Sequence, residues 1–207
     1  MQDKKQEKRI SIKSILTTGK EHEPCTLTGW VRTKRLSKNC GFIEINDGSS
    51  QKSLQLTIPM ESEAFQVLKA INTGASIEAR GTLVPSLGKG QALELQTDTI
   101  TIIGDADPQS YPLQKKGHTL EFLREIAHLR PRTNTFGAMF RVRNQLSYSV
   151  HQFFQERGFV WAHTPILTAS DCEGAGELFH VTTLDLKNVP KTEKHICFSY
   201  ITFITAT

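Results

Sequence analysis

The chain has 207 residues, 38% apolar and 22% charged, with a formal net charge of +4, the balance of one or two globular domains rather than of a disordered or fibrous chain. Its four cysteines, Cys25, Cys40, Cys172 and Cys197, lie far apart with no CxxC pair, which argues against a zinc ribbon or a disulfide framework and for reduced thiols in a cytoplasmic protein. No stretch approaches the roughly 20 apolar residues of a membrane-spanning helix, and MQDKKQEKRI lacks the apolar segment of a secretory signal, so a membrane partner is not expected.

In chain order, residues 1–9 are polar and aperiodic and read as an arm before a short helix near Ile10 to Leu16. Residues 1–40 carry ten Lys/Arg against four Asp/Glu, while the remainder carries fifteen against seventeen. A local cationic excess attracts a polyanion better than a dilute one, because clustered cations release condensed counterions together. From Thr26 to Gly104, five β-rich runs alternate with turn signals: TLTGWVRTKRL, CGFIEINDGSS, SLQLTI, ASIEARGTLVPS and ALELQTDTITIIG. After the third comes ESEAFQVLKAINTG, whose Phe65, Leu68 and Ile71 recur at helical spacing, with Gly74 as its expected C-cap. Five short strands with one inserted helix predict a Greek-key barrel of the OB type in preference to a sandwich.

DADPQSYPLQKKG reads as a hinge. The expected organisation is an arm over 1–19, a barrel over 20–104, a hinge over 105–117 and a second, α+β domain over 118–207. Beyond the hinge, HTLEFLREIAHLR predicts a helix with Leu120, Leu123, Ile126 and Ala127 on one stripe, ended by Pro131. FGAMFRVRNQLSYSVHQFFQERG predicts a second, long helix whose apolar positions run from Phe136 to Phe154, with Gly158 as its stop. FVWAHTPIL reads as an edge or interrupted strand, because Pro165 cannot donate to a ladder. The closing ICFSYITFITAT has the uncharged, β-branched and aromatic composition of a strand that is either buried or prone to aggregate.

Three cations, Arg32, Lys34 and Arg35, stand at the end of the first strand, and Phe42 and Gln55 fall on the next two. Barrels of this type bind unpaired nucleotides by stacking bases on an aromatic face, with cations for phosphates and amides for base edges. Alternation in CGFIEIND places Phe42 with Glu44, opposite Ile43 and Ile45. ASDCEGAGE has the acids and small residues of a loop able to close over a cationic group, with Glu173 its notable acid. The histidines, His163 and His180 among them, lack partners at ligand spacing and are given no role.

GWVRTKR, FIEINDGS and LQL resemble the anticodon-binding domain of class IIb aminoacyl-tRNA synthetases, and HLRPRT with ASDCEGAGE resembles the asparaginyl family within that class. The resemblance spans about residues 20–190. It implies a truncated class II catalytic domain, an antiparallel sheet with helices, after the OB-fold. It also implies ATP-dependent attachment of asparagine to tRNA-Asn with Mg²⁺, RNA and not DNA as the nucleic-acid partner, and a homodimer. By position, Phe42 is expected to stack on the anticodon's central uridine, with Arg35 and Gln55 contacting the same base. Glu173 is expected to hold the amino-acid substrate's α-amino group, and Pro165 to lie in the motif 1 dimer contact.

Adenylate formation needs cations and Mg²⁺ set against developing phosphate charge. The family places these in motifs 2 and 3, neither of which occurs here, and the resemblance stops near Lys191. The expectation is a truncated or frame-shifted product that is inactive alone, holds ATP and Mg²⁺ poorly and is poorly soluble beyond residue 118. A non-catalytic RNA-binding module and an aspartyl-type ligase are the alternatives.

Overall fold

A computed structural model describes residues 10–88, 90–164, 178–181, 185, 187 and 202–205. Contacts divide the chain into one compact unit extending to Leu146 and another from Ser147.

In the first unit, helix α1 (Ile12–Thr18) is followed by β1 (Pro24–Leu36), β2 (Cys40–Asn46) and β3 (Leu54–Pro59). Helix α2 (Glu63–Val67) runs into a 3₁₀ turn at Leu68–Ala70, and β4 (Ser76–Pro85) and β5 (Leu93–Gly104) complete the expected barrel. It closes in the order β1-β2-β3-β5-β4. All pairings are antiparallel except β3 with β5, which run parallel through Leu56↔Leu95 and Thr57↔Gln96.

Strand alternation fills the interior. Cys25, Leu27 and Val31 of β1, Ile43 and Ile45 of β2, and Leu54, Leu56 and Ile58 of β3 are buried in one cluster with Ile77, Leu83 and Leu95. One register shift, between Val31 and Thr33, interrupts the β1–β2 ladder. Gly81 lies at a second shift, between β4 and β5, where an added Cβ would strike the Gln96 carbonyl, so only glycine permits that approach.

Helix α1 begins two residues later than expected. Ser11 accepts a hydrogen bond from the Ser14 N–H, while the Ile12 and Lys13 N–H groups donate to Asp47 Oδ2 (2.9 Å) and Ser49 Oγ (3.0 Å) of the β2–β3 turn. Seven residues cannot sustain a helix in water. The cap contributes about 1 kcal/mol, whereas burying Ile12 and Ile15 against the barrel contributes up to about 3–6 kcal/mol, so packing decides.

Two predicted helix stops lie elsewhere. After α2, Leu68–Ala70 tightens into the 3₁₀ turn and Ile71 caps it. Gly74 is instead a turn residue at φ +93° whose N–H donates to Val31 O. After the barrel, α3 (Leu120–Glu125) is capped by Thr119 and stops at Ile126, which leaves helical geometry (φ −103°, ψ 45°). Of its expected stripe only Leu123 is buried. Pro131 therefore does not end that helix; it occupies the first positions of a separate 3₁₀ turn, Arg130–Arg132, where its missing N–H costs nothing.

Helix α4 (Asn134–Gln155) is the expected long helix, and Gly158 at φ +80° follows it, with Phe159 N–H returning to Phe154 O. Phe136 is buried, while Met139, Val142 and Leu146 are exposed, as are Val150, Phe153 and Phe154 in the second unit. Residues 159–164 belong to no strand. Ring contacts of Phe159 with Phe154 (5.4 Å) and of Trp161 with His151 (4.5 Å) turn this segment back along the helix instead. The second unit also holds β6 (Leu178–Val181) paired antiparallel with β7 (Thr202–Thr205), the latter inside the expected closing strand. Pro165 and Glu173 lie outside the described residues. Among the described residues, no helix is long and apolar enough to cross a membrane.

Candidate nucleic-acid interface

Phe42, half-buried on the outer face of β2, stands directly opposite Arg35 of β1, and the guanidinium carbon lies 4.7 Å from the ring centroid. On its other side Phe42 faces Thr57 of β3, and two residues along β2, Glu44 faces Gln55. Arg35, Phe42 and Gln55 share one outer face, Arg35 through its pairing after the register shift and the other two by alternation, while Ile43 and Ile45 point into the core.

The other two cations at the end of β1 do not join them. Lys34 is half-buried, its Nζ 3.3 and 3.4 Å from the Leu68 and Lys69 carbonyls, and burial lowers its pKa from the usual lysine value. It satisfies the end of the α2 turn, where helix carbonyls lack partners. Arg32 sits at the register shift and donates to Arg132 O (2.8 Å) and Asn134 Oδ1 (2.9 Å).

A residue that sequence reasoning missed organises the row. Glu94 of β5 is buried at 7% exposure, and three donors reach its carboxylate: Gln55 Nε2 (3.0 Å), Thr57 Oγ1 (2.7 Å) and Ser86 Oγ (3.0 Å). Alternation in LELQ places Glu94 away from Leu93 and Leu95 and so suggests a solvated side chain. The cover comes from Gln55 and Thr57 of β3, 39 and 37 residues back in the chain, and from Ser86 across the β4–β5 connection. With one amide N–H committed to Glu94, Gln55 retains another N–H and its carbonyl oxygen. That donor–acceptor pair suits the adjacent N3–H and carbonyl oxygen of a uracil edge.

Beside this face lies a cleft of about 1220 Å³, bordered by Thr33 and Glu44 from the neighbouring rung. Its wall joins the barrel to the segment leading into α4. Arg132 stacks 4.5 Å over Trp30, Gln51 Nε2 donates to Asn134 O (2.7 Å), and Arg141 donates to Gly48 O (2.7 Å) and Gln51 Oε1 (3.0 Å). The family marker HLRPRT contains Arg132, but no periodicity in the sequence pairs it with Trp30.

Among the described residues, no group of three or more His, Cys, Asp or Glu could hold a metal ion. The described face can stack, donate and accept, and these are functions of recognition.

Residues 25–103 match the family described as OB-fold nucleic acid binding domain, and residues 119–193 match tRNA synthetases class II (D, K and N). The chain is 59% identical to asparagine–tRNA ligase of Nostoc sp. over 183 residues, covering 88% of this chain and 40% of the relative. It is 58% identical to that of Thermosynechococcus vestitus over 190 residues, covering 91% and 41%. It thus spans about 40% of the length of the curated relatives it matches. Among solved structures, asparaginyl-tRNA synthetase from Pyrococcus horikoshii complexed with asparaginyl-adenylate superposes with a TM-score of 0.75 at 18% identity, over 95% of this chain and 42% of that one. The Entamoeba histolytica enzyme gives 0.68 at 19%, over 90% and 41%. At such identities these two likenesses speak for the fold alone.

Proposed function

The chain belongs to the asparagine–tRNA ligase family, and from that premise we propose that its barrel reads the anticodon loop of tRNA-Asn. The observation that carries the reading is the shared outer face of Arg35, Phe42 and Gln55, with the amide held by Glu94. The central uridine stacks on Phe42 in the place the Arg35 guanidinium now takes, which frees that cation for a base carbonyl or a phosphate. Gln55 meets the base edge with its remaining N–H and its carbonyl oxygen. Stacking on an aromatic side chain is sequence-tolerant, so discrimination falls to the amide.

The same premise supports, for the whole protein, ATP- and Mg²⁺-dependent joining of asparagine to tRNA in the cytoplasm. Glu173 then binds the α-amino group, and a homodimer contact includes Pro165. The exposed Met139, Val142 and Leu146 of α4 suit a helix that a second subunit covers.

The test is binding of the purified chain to an anticodon stem-loop bearing GUU, compared with one altered at the central uridine. Preference for GUU is expected. Equal affinity for both loops would refute base reading by this face.

A further inference from the structure

The cleft beside the reading face is one-sided in charge. Lys13, Arg32, Lys115, Lys116, Arg132 and Arg141 line it, and Glu44 is its single acid. Among the described residues the ion pairs are Arg80 with Glu78 and Arg124 with Glu121, neither of them in the cleft, so no carboxylate is paired with its cations. Arg32 and Arg141 spend their hydrogen bonds on neutral acceptors, backbone carbonyls and the Asn134 and Gln51 amides, which orient the guanidinium groups and leave their charge in place. Lys13, Lys115 and Lys116 are exposed. His118 also borders the cleft, and its Nε2 is buried with no hydrogen-bond partner.

The cleft and the reading face are continuous. Glu44 borders the cleft and Phe42 carries the stacking ring, two residues apart on one face of β2, or about 7 Å by strand rise. A polyanion whose unpaired bases reach Phe42 therefore runs its next phosphates into the cleft.

We infer that this cleft docks the sugar–phosphate backbone of the stem that closes the loop read by Arg35, Phe42 and Gln55. The inference rests on the proposed reading of that loop. Lys13 at the start of α1 and the Lys115–Lys116 pair after the barrel supply the phosphate contacts from two segments remote in sequence. The Arg32 and Arg141 bonds hold the cleft open between the barrel and α4. Phosphate contacts of this kind set position and carry no sequence information.

The experiment measures affinity of the full chain for the GUU hairpin at several salt concentrations, beside Lys115→Ala/Lys116→Ala, with a loop oligonucleotide lacking the stem as the second probe. Both lysines are exposed loop residues, so the variant keeps the barrel's packing. For the hairpin, the slope of log affinity against log salt is expected to become shallower by about 2. For the stemless loop the variant and the parent are expected to coincide. An unchanged hairpin slope, or an equal change with the stemless probe, overturns the inference. Loss of preference for the central uridine in the parent chain is a separate result that removes the base-reading proposal, while the slopes still judge the cleft.

Discussion

The Gln55 side-chain amide is fastened to the buried Glu94 carboxylate at 3.0 Å, and Thr57 and Ser86 reach that same carboxylate. Glu94→Ala removes the acceptor of three bonds. A hydrogen bond to a charged group is worth about 1.5–3 kcal/mol. Because the three donors sit in half-buried positions that water can partly re-satisfy, we expect a total loss of about 2–4 kcal/mol by urea unfolding. Gln55 also becomes free to rotate, so preference for the GUU loop should fall further than overall affinity. Unchanged preference would mean that the carboxylate does not orient the amide.

Phe42→Ala removes the stacking ring and leaves the interior side of β2 intact. A stacked base is worth about 1–3 kcal/mol, so affinity for the stem-loop should fall about 5- to 100-fold, and Phe42→Tyr should restore most of it. Circular dichroism unchanged from the parent would separate lost stacking from lost fold.

Gly74 and Tyr111 form a second testable pair. An added Cβ at Gly74 would lie 2.5 Å from the Tyr111 ring, at φ +93°. Gly74→Ala therefore suffers both backbone strain, about 1 kcal/mol, and displacement of the ring. Combining it with Tyr111→Ala should leave only the backbone part, so the double variant is less destabilised than the two single effects summed. Strict additivity in thermal unfolding would show that ring and glycine do not meet.

Burial, and secondarily the charge of Glu23, push the Cys25 thiol up to about 11 from its ordinary 9.0. Below pH 9 both folded and unfolded chains keep the proton, and the full stability is present. Between pH 9 and 11 the unfolded thiol ionises while the folded one does not, so the unfolded state is favoured by an increment that grows toward about 2–3 kcal/mol. Because lysines and tyrosines titrate in the same range, the measurement is a difference: stability of Cys25→Ala should fall less than that of the parent over this window. Parallel curves would remove the effect.

The fold class and the two faces of β2 were legible because both rest on short-range periodicity, whereas the reading roles of Arg35, Phe42 and Gln55 rest on the family resemblance. Ile43 and Ile45 alternating with Phe42 and Glu44 define β2 and its faces, and one helix after the third strand selects the barrel. What stayed hidden depends on distant partners. Glu94 is held by Gln55 and Thr57 of β3, 39 and 37 residues back, Arg132 finds Trp30 about a hundred residues back in the chain, and α3 ends at Ile126 although its apolar spacing continues. Lys34 and Arg35 are adjacent cations with no local signal to tell them apart, yet one satisfies helix carbonyls and the other covers an aromatic ring.

The register shift at Arg32 accounts for that division. Val31 pairs with the inward Ile45, but Thr33 then pairs with Glu44, Lys34 with the inward Ile43, and Arg35 with Phe42. Uninterrupted alternation from Val31 would turn Lys34 outward and Arg35 inward. The strand thus behaves as a two-phase code with one inserted character, and everything after the insertion is read in the opposite phase. Deleting residue 32 would remove the inserted character and leave Thr33, Lys34 and Arg35 in their present pairing, whereas a strand that kept residue 32 but paired without the shift would aim the Arg35 guanidinium at the hydrocarbon interior. The pairing register of this strand, as much as its composition, therefore decides which cation faces outward.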